Sequence, residues 1–143
     1  NRTLQQQAAT AHAVYAPDQH HAVEVGAEQE AVLKTWLASR LGAPLTIVQL
    51  APQGFRLLGA RLLPDMVGPA ALLMYQNEAG ARVSLYVRKD GSHGSSAPAF
   101  VQQDRKNMFY WDDGLFGYAI TGEQTRAQLQ PLADAAYQQL GGK

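Results

Sequence analysis

Between residues 55 and 89 the apolar positions fall into three runs separated by two turn signals. Phe55, Leu57, Leu62 and Leu63 precede Pro64-Asp65, Ala70 to Tyr75 precede Asn77-Glu78-Ala79-Gly80, and Val83, Leu85 and Val87 follow that turn. In the third run strict alternation puts Val83, Leu85 and Val87 on one face and Ser84, Tyr86 and Arg88 on the other. Asn and Gly accept the positive φ that a tight hairpin needs. The pattern predicts a three-stranded antiparallel meander, and none of its residues forms a reactive constellation.

Residues 26–41 show the clearest helical period, with Leu33, Leu37 and Leu41 in an i, i+4, i+8 row flanked by Val32 and Trp36. Glu28 and Glu30 favour the helix start, Gly42 suits a left-handed cap and Pro44 bars continuation. A second helix is predicted from about 123 to 140, where Leu129, Leu132, Ala133, Ala136 and Leu140 form a stripe. Either Thr125 with Gln128 or Thr121 with Gln124 fits a capping box, and Pro131 predicts a kink or a separate first turn. Residues 2–14, rich in Gln and Ala, carry the thin stripe Leu4, Ala8, Ala11, Tyr15 of a weaker helix. Residues 20–25 and 45–50 read as extended, the latter as a short edge segment. Residues 90–98 read as a loop, 99–102 as a fourth strand, and 107–112 with 115–120 as a hairpin around Asp112-Asp113-Gly114. The resulting fold class is α+β: an antiparallel meander sheet of about five or six strands with helices packed mainly on one face.

Composition narrows the function. Lys+Arg and Asp+Glu balance at 12 each, so no global field favours nucleic acid or anionic lipid. The absence of cysteine removes thiol catalysis, Cys-based zinc sites and disulfides together. No apolar run approaches the roughly 18–20 residues that cross a bilayer. The chain begins at Asn1 without a signal-peptide pattern, as expected of an excised portion of something longer.

Candidate chemistry is sparse. His12, His20 and His21 lie within ten residues, but adjacent positions on an extended segment point to opposite faces, and no metal-ligand spacing is present. His93 lies between Ser92 and Ser95 in a Gly-rich loop that holds groups poorly, and no Gly-x-Ser-x-Gly elbow exists. A hydrolase would need a cavity joining a Ser or Asp to a histidine, and none is expected. Asp112 and Asp113 suit turn geometry better than acid–base work. Gly54, Gly59 and Gly68 are too scattered for a phosphate loop, and Gly59 inside a strand signals a bulge or a close approach. Phe109 and Trp111 are assigned to the core. Tyr75, Tyr86 and Tyr118, with His12, His20 and His21, form the candidate recognition surface. No catalytic, cofactor or metal residue is assigned.

The succession HAVY (12–15), HHAVEVGAEQEAVLKTWLASRLGAPL (20–45), GFRLLGARLLP (54–64), PAALLMYQNEAGARVSLYVRKD (69–90), MFYWDDGLFGYAITGE (108–123) and LADAAYQQL (132–140) resembles the extracytoplasmic domain of bacterial transmembrane anti-sigma factors. That family is similar in having a cytoplasmic sigma-binding domain, often with a His-x-x-x-Cys-x-x-Cys zinc motif, and one membrane helix, neither of which lies in this chain. The resemblance implies a non-enzymatic periplasmic sensor domain of an inner-membrane protein that regulates transcription in an envelope stress response. It implies a helical stalk at 1–15, a single domain at 16–143 and no cofactor. The full-length protein would bind an extracytoplasmic-function sigma factor through a segment absent here, with an outer ligand or partner that the resemblance does not specify. The alternative is a periplasmic small-molecule or metal-binding module.

Overall fold

Period-two alternation becomes a sheet with two buried faces. The computed structural model describes residues 3–18, 22–89 and 96–141. Within them the order is α1 (Leu4–Tyr15), β1 (Val25–Gly26), α2 (Glu30–Leu41), β2 (Arg56–Asp65), β3 (Gly68–Gln76), β4 (Arg82–Lys89), β5 (Ala99–Gln103), β6 (Lys106–Asp112), β7 (Phe116–Gly122) and α3 (Arg126–Gln139). The fold is α+β, with all seven strands in one antiparallel sheet ordered β1-β2-β3-β4-β7-β6-β5. The predicted meander is β2-β3-β4 and the predicted hairpin is β6-β7. The count exceeds the expected five or six only by the two-residue β1, all that is strand in the segment read as extended; residues 19–21 lie outside the described part.

One sheet face carries the larger core. Val83, Leu85 and Val87 of β4, Leu73 and Tyr75 of β3, and Phe109, Trp111, Tyr118 and Ile120 pack against α2 and α3. Leu33, Leu37 and Leu41 are buried as their spacing predicts, worth about 1.5–3 kcal/mol each. Val32, expected to flank this row, is instead 57% exposed, and Trp36 is only partly buried. Gly42 caps α2 at φ 79°.

One local expectation is corrected and two open alternatives are resolved. Residues 45–50 form no strand, although Leu45, Ile47, Val48 and Leu50 are buried. The Gln139 side chain of α3 takes a strand's place there: its Oε1 accepts from Gln49 N and its Nε2 donates to Gln49 O, both at 2.7 Å. Pro131 lies inside one helix, Arg126–Gln139, so the first turn is not separate from the rest of α3. The helix tolerates it because Ala127, whose carbonyl loses its helical partner, is exposed to solvent. Thr121 is buried in β7, so the capping box is the Thr125–Gln128 pair, with both reciprocal bonds present at 3.0 and 3.2 Å. Thr125→Ala should therefore cost about 1 kcal/mol in urea unfolding with an unchanged m-value.

Residues 1–15, expected as a stalk, contribute α1, which lies on the opposite face of the sheet. There Ala8, Ala9 and Ala11 meet Ala70, Leu72, Met74, Tyr86, Met108 and Ala119. A Thr3–Gln6 capping box starts the helix, and its Thr-x-x-Gln spacing was visible in the sequence. The small side chains let α1 approach closely but bury little each, at about 0.8 kcal/mol per methyl-sized group.

Candidate functional site at the carboxyl end of the first helix

Three polar or cationic contacts gather at the carboxyl end of α1 and tie it to the sheet. His12 Nδ1 lies 2.7 Å from Ser84 Oγ on β4, with both residues buried. The guanidinium of Arg61 stacks over the Tyr15 ring, 4.0 Å from its centroid. Arg82 Nη1 donates to the carbonyls of Ala16 (2.9 Å) and Asp18 (2.7 Å), while its Nε donates to Gln76 Oε1 (2.8 Å). Cations are favourable at a helix carboxyl terminus, where carbonyls lack helical partners.

Beside this anchorage opens a cavity of about 370 Å³. Its wall includes His12, Ala16, Ala81, Arg82, Lys106 and Glu123. Burial, and secondarily the positive charge of Lys106, push the His12 imidazole down to about 4. The native ring is thus neutral at pH values where an unfolded histidine binds a proton. Stability from this source is complete above pH 6.5, falls as pH drops below 6.5, and levels off near 4. We expect about 2 kcal/mol to be lost between pH 6.5 and 5, and His12→Gln to flatten that slope in urea titrations. Unchanged slopes in the variant would contradict this.

The structure corrects the recognition surface expected from sequence. Tyr75, Tyr86, Tyr118 and His12 are each no more than 2% exposed, so the tyrosines form no exposed aromatic surface and His12 contributes only to the cavity wall. Tyr75 donates to the Val48 carbonyl at 2.8 Å, and Tyr118 to Asp113 Oδ2 at 2.7 Å. Burial raises both phenols' pKa values, helped at Tyr75 by Glu30 and at Tyr118 by the Asp113 hydrogen bond and charge. Tyr86 donates to Asp65 Oδ2 at 2.5 Å. Alternation identified the faces correctly. It did not reveal that α1 would cover the second one. His20, His21 and the Ser92–His93–Ser95 cluster lie outside the described residues.

Asp113 takes the turn role expected of it, its Oδ1 accepting from Leu115 N and Phe116 N at 3.0 and 2.8 Å. Among the described residues no three metal-ligating side chains converge, and no helix is long and apolar enough to cross a membrane. Ser84 and His12 meet beside the cavity, but the cavity does not join them. Ser84 is 1% exposed and does not line the cavity, whereas a nucleophile must reach its substrate. Sequence reasoning missed Ser84, Arg82 and Lys106 as site residues. The one available signal was Ser84 sharing a strand face with Tyr86 and Arg88. No family model, curated protein or solved structure matches the chain.

Proposed function

We propose that this chain is the periplasmic regulatory domain of a membrane-bound anti-sigma factor, signalling by the docking and release of α1. The observation that carries the reading is the asymmetric attachment of α1. Alanines form much of its buried surface, while the His12, Tyr15 and Ala16 contacts hold its carboxyl end. Each buried alanine of α1 contributes less burial than a buried leucine of α2, which lowers the cost of detaching the helix. The family resemblance adds direction: in proteins of that kind the chain before this domain leads to the membrane helix, so α1 is the segment that links sheet and membrane. A signal that shifts α1 biases what lies on the cytoplasmic side, as a two-state element must. No turnover is invoked.

The test uses the full-length protein. Its coding sequence should contain a membrane helix and a cytoplasmic segment upstream of residue 1, and it should co-purify with an extracytoplasmic-function sigma factor. A full-length chain without a membrane helix, or one that captures no sigma factor on co-expression, overturns the reading.

A further inference from the structure

The cavity at the carboxyl end of α1 has the chemistry of a ligand site. Two cationic side chains, Arg82 and Lys106, face it against the one carboxylate, Glu123, among the described residues of its wall, in a chain whose overall charges cancel. Arg82 is held before any ligand arrives: Nη1 and Nε are committed to Ala16, Asp18 and Gln76, which leaves Nη2 as the edge to offer. His12 is likewise fixed through Nδ1 on Ser84, leaving Nε2 as the ring's remaining polar atom. Preorganised polar groups of this kind lower the entropy lost on binding. The rest of the wall includes apolar carbon from Ala13, Ala16, Pro17 and Ala81. At about 370 Å³ the space is within the range of small-molecule pockets.

We propose that this cavity binds a small organic carboxylate, its charge met by Lys106 and Arg82 and its carbon body lying against the alanines of α1 and Ala81. The apolar wall favours an organic anion over inorganic phosphate, which would leave that carbon surface unused. Such a ligand bridges the sheet and the end of α1, because Arg82 and Lys106 belong to strands while Ala13 and Ala16 belong to the helix and its cap. Binding clamps α1 in its docked position. The regulatory meaning of the clamp rests on the function proposed above; the binding itself does not.

Calorimetry and amide NMR on this chain, titrated with acetate, succinate and inorganic phosphate at low salt, test the site without a sigma factor. Succinate should saturate, with shifts at Ala13, Ala16, Ala81 and Lys106. Lys106→Gln should weaken it about tenfold, as expected for losing one charge-assisted contact. Glu123→Gln should tighten it, since a carboxylate opposing Arg82 and Lys106 is gone, and Lys34→Gln on α2 should leave it unchanged. No saturation up to about 10 mM, a level at which even a weak specific site would fill, overturns the proposal. So do equal affinity in Lys106→Gln and phosphate binding as tightly as succinate. Failure of sigma-factor capture with intact succinate binding would remove only the regulatory reading.

Discussion

Asp65→Ala should lower unfolding stability by about 4 kcal/mol, the range for removing one partner of a buried ion pair. The Asp65 side chain is fully buried at the end of β2, where Oδ1 pairs with Arg88 Nη1 at 3.1 Å and Oδ2 accepts from Tyr86. Oδ1 also accepts from Val67 N at 3.1 Å, closing the β2–β3 turn. Truncation removes a charge partner from the Arg88 side chain, which is 9% exposed, and an acceptor from the buried Tyr86 phenol. The desolvation of both groups, less fully offset once the carboxylate is gone, makes the loss large; the pair's net contribution is smaller. Arg88→Met in the Asp65→Ala background should therefore recover part of the loss, because the buried charge that Asp65 helps to offset goes with it. Urea unfolding of the four proteins of this cycle measures it. A single-variant loss below about 1 kcal/mol, the level of an exposed pair, would show that the cluster is solvated.

The second large effect is expected at Gly59, where Gly59→Ala should cost about 3 kcal/mol, combining an unfavourable backbone region with overpacking. Gly59 has φ 148° and sits at the register irregularity where β2 passes from Leu57 to Gly59. A Cβ there would run into the Val25 carbonyl oxygen and lie 2.9 Å from the Gly26 Cα. Those obstacles are backbone atoms of the paired strand β1, which have no rotamer to move into. Gly80→Ala separates the two causes. Gly80 also has positive φ, at 89°, but open space around it, so about 1 kcal/mol from conformation alone is expected. Hydrogen exchange should show β1 released from β2 in Gly59→Ala and retained in Gly80→Ala. Equal losses at the two glycines would refute the close-approach account.

Gly59 also marks how far sequence reasoning reaches. A glycine within an alternating run signals a bulge or a close approach, and both are present. Asp65 shows the limit. As part of Pro64-Asp65 it reads as a turn residue, and it does bond Val67 N, yet its larger role depends on Tyr86 and Arg88 more than twenty positions away.

Local periodicity by itself determined the α+β class, the three-stranded meander, the β6–β7 hairpin and the inward rows of α2 and α3. These follow from backbone geometry, because a period of two or 3.6 decides which side chains share a face wherever the element sits. Tertiary structure alone decided that β7 lies beside β4 with β5 at the outer edge, and that α1 covers the second sheet face. Those choices rest on non-local pairing, and alternation is the same whichever strand lies alongside. With α1 in place, the tyrosines expected to form a surface become core, and His12 meets Ser84. Arg82 and Lys106, on separate strands, come to line one cavity.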